Sequence, residues 1–400
     1  MPRLTSRERD EIGGVEYQAL KLLLKVITAY FFGMQLLGAL GLLVWIHLAN
    51  AKYTILLDSV HQDKTWWAFY TSQSLMDNLG FTLTPDNMVP FCDTIWPLLL
   101  LSFVALAGET LYPVFLRCVI WAMARLVPHT SPQRLALAYL LDHPRRCYTL
   151  LFPSGTTWAL FAIIGALNVI DTVLIVVLDL HNAEVAHLKL VNRFVSAFFQ
   201  AVASRHAGTT PYNLDKVSPA VQFSLLVMMY ISIYPVAMSI RTSSTYEQGS
   251  VGVWACQEAY DEQTASTYLV QHIQQQLGFD LWYIFLGIFL LAVTEGPSVA
   301  DLNDSVKLTI RRLWLRVNPS FQHMKIFPIF FEVVSAYANV GISLGHPSVN
   351  SALSTKFSVA GKLVVCAMMI RGRHRGMPHG LDRAIMLPDE HLVLESRRES

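Results

Sequence analysis

Three glycines, Gly80, Gly208 and Gly341, each follow a short apolar segment and open an irregular polar one: NLGFTLTP, HAGTTPYN and NVGISLGHP. Glycine reaches backbone conformations with φ > 0 that other residues avoid. That freedom lets successive carbonyls turn toward one axis, and a ring of carbonyls can replace the hydration shell of a monovalent cation. A half-helix ending there adds about half a negative charge at its C-terminus. Both features attract cations and repel anions. The candidate ion-filter residues are therefore Gly80, Gly208 and Gly341 with the residues just before them, Asn78, Leu79, Ala207, Asn339 and Val340. For any one of the three, a simple helix C-cap is the plain alternative. Three in equivalent places shift the balance toward a filter.

The segments that position these turns repeat. Trp66–Asn78, Leu190–Ala207 and Phe327–Asn339 mix apolar residues with Ser, Asn, Gln or a charge. At 1.5 Å per residue each makes a helix of about 20 Å, too short to cross a hydrocarbon core of about 30 Å. Around them lie six apolar stretches expected to span: Leu20–Leu48, Ile95–Leu126, Trp158–Leu180, Val221–Ile240, Leu277–Val293 and Phe357–Ile370. The expected fold is all-α and membrane-embedded, with three repeats of transmembrane helix, re-entrant half-helix and transmembrane helix, as in potassium channels. The repeats cover 13–130, 131–245 and 277–375, with a cytoplasmic linker at 246–276 and a cytoplasmic tail at 376–400.

Composition agrees. Of 400 residues, 53% are hydrophobic and 15% charged, well below the quarter usual in soluble chains. A net charge of +1 gives no reason to expect nucleic acid as a partner. The five cysteines (Cys92, Cys118, Cys147, Cys256, Cys366) form no CxxC or Cys/His spacing, so neither a disulfide framework nor a metal site is expected. The polar start, MPRLTSRERDEIGG, is not a cleavable signal. Basic residues orient the chain: Arg3, Arg7 and Arg9, then Arg125, Arg134, Arg145 and Arg146, then Arg371, Arg373, Arg375 and Arg383 fall on one side. By the positive-inside rule that side is cytoplasmic and holds both termini. The acceptor Asn303-Asp304-Ser305 then lies outside, a glycosylation candidate. The same loop carries Lys307, Arg311, Arg312, Arg316 and Lys325, against the rule.

Charges at membrane depth each need a reason. Asp171 in the third span is expected to bond a neighbouring helix. Glu332 and Arg205 in half-helices either brace those helices or act electrostatically at the pore. Glu109 and Arg117 are expected to be structural. Lys362 in the sixth span either snorkels to a membrane face or faces the axis as a barrier to cations. The run Arg371-Gly372-Arg373-His374-Arg375 reads either as a phosphate or anion nest or, the favoured reading, as a cytoplasmic basic anchor against anionic lipid. An enzyme built on His143, His374 or His379 lacks a nucleophile–base pair or a ligand set to accompany them. No Walker motif occurs, so no ATPase is expected.

Several ordered blocks carry a resemblance: GGVEYQALKLL, DNMVPF, LAGETLYPVFLR, LDHPRRCYTLLFPS, FQAVASRHAG, VMMYISIYPVAMSIR, FEVVSAYANVGISLG and KLVVCAMMIRGRHRGMPHGLDRAIMLP. Across about Gly13 to Pro388 the chain resembles the fungal branch of the Trk-type potassium transporters. The resemblance implies four repeats around one pore, each giving one filter glycine, with Gly80, Gly208 and Gly341 matching the second, third and fourth. It implies a basic residue of the last helix near the path, matched by Lys362. It also implies plasma-membrane location, potassium as cargo without any cofactor, sodium or rubidium as possible substitutes, and a homodimer. The first repeat is absent, so the expectation is a chain cut short or a quarter supplied from elsewhere. Pro211 in AGTTPYN and the text ANVGIS depart from the family pattern.

Overall fold

The computed structural model describes residues 14–128, 131–178, 185, 188–205, 207–231, 234–240, 278, 280–295, 326–346 and 351–374. Among them the regular structure is helical. The linker at 246–276, the candidate Asn303, the basic loop 307–325 and the tail 376–400 lie outside the described residues.

The first span is α1, Gly14–Leu48, whose 35 residues exceed what a bilayer needs. A short α2, Ala51–Ser59, leads to the first half-helix, α3, Lys64–Met76. Asp63 caps α3, its carboxylate accepting from the Trp66 amide at 2.9 Å. The stretch Ile95–Leu126, expected to cross in one piece, is two helices: α4, Trp96–Gly108, and α5, Tyr112–Leu126, bent by 89°. The cause is local. Pro113 opens α5, and its ring cannot continue a helix arriving from α4. The Leu111 amide reaches back to Leu106 at 2.9 Å instead, and the chain turns at Glu109–Leu111. α5 buries Leu116 and Ile120 on one face and Val114 on another. Its exposed Trp121 is covered by the Arg125 guanidinium 4.7 Å away, a pairing suited to a membrane–water interface.

Two connector helices, α6 (Pro132–Asp142) and α7 (Pro144–Cys147), close the first unit, with α6 packing on α1 and α5. Arg117 locks this corner, donating to the Phe152 carbonyl at 2.6 Å. Then come α8, Ser154–Leu178, the half-helix α9, Leu190–Ala203, and α10, Pro219–Ile231. Helix α11 follows at Asp280–Thr294, then the half-helix α12, Ile326–Tyr337, and α13, Val359–Arg373. Among the described residues, three helices are long and apolar enough to cross a membrane by themselves, Gly14–Leu48, Ser154–Leu178 and Pro219–Ile240, or four if the bent pair counts as one span. The stretches expected as fifth and sixth spans form helices of 15 residues or so, shorter than a crossing demands.

The half-helices bind the units together. α9 packs on α4 of the unit before it, and α12 packs on α10. Buried polar groups reinforce this: Asp280 at the start of α11 accepts from Tyr234 at 2.6 Å and from Tyr337, at the end of α12, at 2.7 Å. Glu295, after α11, accepts from the Ser358 amide and hydroxyl at 2.8 and 2.7 Å, fixing the start of α13.

Candidate ion pathway

α3 and α12 end alike. Leu79 N–H donates to Ser74 at 2.8 Å, and Val340 N–H donates to Ser335 at 3.0 Å. The residue inside each loop, Asn78 or Asn339, is left-handed, with φ 54° and 56°. This is a Schellman stop with asparagine in the left-handed place. The glycines are therefore not the caps. Gly80 and Gly341 lie two residues further on and are left-handed again, at φ 74° and 84°; Gly208, beyond α9, is left-handed at φ 67°. Leu79 and Val340, between two left-handed residues, do not share that conformation. α9 ends differently, with Ala207 N–H donating to Ala203 at 3.2 Å.

The asparagine side chains tie these strands to the following helix. Asn78 Nδ2 donates to Glu109 at 2.8 Å, in the bend between α4 and α5. Asn339, with its amide turned to satisfy both ends, donates to the Met369 carbonyl at 3.3 Å and accepts from Arg373 N–H at 2.9 Å, near the end of α13. Two further glycines let those helices come so close. A Cβ on Gly108 would overlap the Met76 carbonyl, and one on Gly372 would overlap the Tyr337 carbonyl. Met76 and Tyr337 are the last residues of their half-helices.

The three turn glycines meet. A Cβ built on Gly80 would sit 3.2 Å from both the Ala207 oxygen and the Gly208 Cα. One on Gly208 would sit 2.5 Å from the Val340 oxygen and 3.1 Å from the Gly80 Cα. One on Gly341 finds Gly208 Cα at 3.9 Å. Gly208 is thus the middle of an arc, touching a neighbour on each side. Two cavities flank the arc. One, of about 1000 Å³, gathers residues that precede the glycines, including Asn78, Leu79, Asn339 and Val340, with Glu109 and Arg373. The other, of about 640 Å³, contains all three glycines and the loops that follow, with Asp86, Asp215 and His346.

Of the residues singled out from sequence, Gly80, Gly208, Gly341, Asn78, Leu79, Ala207, Asn339 and Val340 come together here. Lys362 does not: it lies exposed in the first turn of α13, away from both cavities. The basic side chain of α13 that lines the larger cavity is Arg373. Glu109 also lines it, which its place in an apolar run did not reveal; the signal available was the helix-breaking GETLYP around it. Asp171 and Arg205 are both buried in the second unit, Arg205 donating to Asn168 at 2.8 Å. Glu332 accepts from the Ser354 amide at 3.1 Å, bracing the loop beyond Gly341.

A family model described as a cation transport protein, TrkH, matches residues 3–395. The chain is 41% identical over 397 residues to the potassium transporter TRK1 of Candida albicans, covering 99% of this chain and 36% of that protein. It is 42% identical over 396 residues to potassium transport protein 1 of Schizosaccharomyces pombe, covering 99% and 44%. It is 38% identical over 419 residues to the low-affinity potassium transport protein of Saccharomyces cerevisiae, covering 97% and 45%. The chain therefore spans between about a third and a half of the length of these relatives.

Proposed function

The chain belongs to the TrkH cation transport proteins, and from that premise we propose that it carries potassium through a path lined by the main chain at Gly80, Gly208 and Gly341. The observation that carries this is the convergence of three left-handed glycines, each just beyond a half-helix, on one backbone cluster between two cavities. A Cβ would collide at Gly208 and crowd Gly80, so main-chain oxygens are the groups placed to meet an ion there. The half-helices bring the negative ends of their dipoles to the same place. Membrane potential drives uptake, since 100 mV supplies about 2.3 kcal/mol per charge moved. The membrane is the plasma membrane, both termini are cytoplasmic, and the cavity holding Glu109 and Arg373 faces the cytoplasm. The units 13–130, 131–245 and 277–375 are the repeats, joined by a cytoplasmic linker at 246–276. Rubidium or sodium substitutes for potassium, and two copies assemble as a homodimer.

A second reading concerns completeness of the path. Gly80 and Gly341 do not touch each other; the arc is open between them. The larger cavity extends through that opening to Ile27, Thr28 and Phe31 of α1. On this reading the chain conducts only when a further segment closes the opening, from a longer chain or another subunit. Rubidium uptake in cells lacking their own potassium uptake tests both. The chain expressed alone, and the same residues exchanged into the Schizosaccharomyces pombe relative, are compared with Gly208→Ala versions of each. Saturable uptake that collapses with membrane potential, and is lost in Gly208→Ala, is expected. Uptake only in the exchanged protein selects the second reading. Equal uptake with and without Gly208→Ala in both settings rejects transport through this cluster.

A further inference from the structure

We infer that Asp171 tunes cation binding at the glycine cluster by cancelling the charge of Arg205, so that the two set the field felt by an ion beside Gly208; this rests on the potassium-path reading above. Arg205 lies three residues before Gly208, just past the end of α9. Three residues of chain reach at most about 11 Å, so the Arg205 Cα lies within that distance of the Gly208 Cα. In the other units the equivalent places hold Asp77 and Ala338. Only the second unit puts a cation there. A half-helix end carries about half a negative charge, and a bare guanidinium would outweigh it.

Burial makes the charge matter. Arg205 is 1% exposed and Asp171 is 0% exposed, so water does not screen either. Arg205 Nε donates to Asn168 Oδ1 at 2.8 Å, and one Nη lies 3.8 Å from the Met228 sulfur. Its other Nη has no hydrogen-bond partner. Asn168 and Asp171 are three residues apart on α8, hence on one face of it. Asp171 Oδ1 accepts from Ser224 of α10 at 3.0 Å, while Oδ2 has no partner. Asn168, which Arg205 bonds, shares its helix face with Asp171, so the two charged groups are neighbours in the buried interior of the unit. The pair spans all three helices of the unit that sits at the centre of the arc. Removing one member leaves the other as an uncompensated buried charge. At an effective dielectric of about 20, a unit charge ~10 Å away changes cation affinity on the order of tenfold.

The test reads sign rather than loss. The full 400-residue chain is purified in detergent micelles, and rubidium binding is measured by equilibrium dialysis at constant ionic strength. Asp171→Asn is expected to weaken binding about tenfold, and Arg205→Gln to tighten it by a similar factor. The double variant and Arg205→Lys are expected to stay within about twofold of the parent. A pair that only braces the helices would weaken binding in both single variants, and that result overturns the inference. If Asp171→Asn is not monodisperse, Arg205→Gln decides alone: tighter binding upholds the inference and weaker binding overturns it. A parent chain that binds no rubidium overturns both the inference and the potassium-path reading, whereas a binding parent with same-sign variants overturns the inference only.

Discussion

Gly208 is held more tightly than its two counterparts. A methyl group there meets the Val340 oxygen at 2.5 Å, a distance real Cβ atoms do not occupy, whereas at Gly341 the nearest atom is 3.9 Å away. Both positions also impose left-handed strain on alanine, about 1–2 kcal/mol. Gly341→Ala should therefore cost about that strain and reduce rubidium uptake in part. Gly208→Ala adds a backbone collision and should abolish uptake and lower the thermal midpoint further; parallel uptake and melting curves check the order. The glycines were legible from residue type and spacing alone. Their companions were not. Asn78 and Asn339 take the left-handed cap that was the alternative reading of the glycines, because an asparagine tolerates that conformation and nothing in its neighbours' types announces it. Lys362 and Arg373 both lie in α13, and only the helix's placement separates the one facing away from the one lining the cavity. Glu109 faces the same cavity while accepting from Asn78. Glu109→Gln keeps an acceptor for Asn78 but removes the charge. It should raise the rubidium KM several-fold with little change in protein level, measured by uptake against concentration.

Half-helix ends are gripped by the helix that follows them, and glycine permits the grip. Gly108 of α4 and Gly372 of α13 each lie against the last carbonyl of a half-helix. Alanine at either place must push backbone from backbone, since neither obstacle is a flexible side chain. Gly108→Ala and Gly372→Ala should each destabilise by about 1–3 kcal/mol, the range for overpacking. Gly165→Ala in α8, where a Cβ meets nothing within 4 Å, should be neutral or stabilising by up to about 1 kcal/mol. Thermal midpoints of the three variants check the contrast. The half-helices were readable from sequence because their apolar runs are too short to span and carry Ser, Gln and Asn. The bend of Ile95–Leu126 was not, since hydropathy sums over side chains and ignores backbone donors. Pro113 and Gly108 mark the break locally, yet the largely apolar stretch around them conceals it.

Taken as one body, the chain presents an arc whose two ends differ from its middle. The residues before the glycines read this out: Ala207 and Val340 are 1% and 2% exposed, but Leu79 is 48% exposed. After the glycines, Ile342 is 2% exposed and Phe81 is 66% exposed. An apolar side chain beside an ion path is not stable against water without a neighbour, and the first unit's strand faces the opening between α1 and α13. The prediction follows from accessibility alone. In a background with the native cysteines changed to serine, Leu79→Cys and Phe81→Cys should react quickly with a water-soluble thiol reagent. Ala207→Cys and Val340→Cys should react at least tenfold more slowly. Placed in a protein that supplies a closing segment, Leu79→Cys should slow toward the Val340→Cys rate. Comparable slow rates at all four positions in the chain alone would mean that the opening is already covered, by the chain's own residues or by a second copy. Labelling at rising protein concentration separates those two, because only a second copy makes protection depend on concentration.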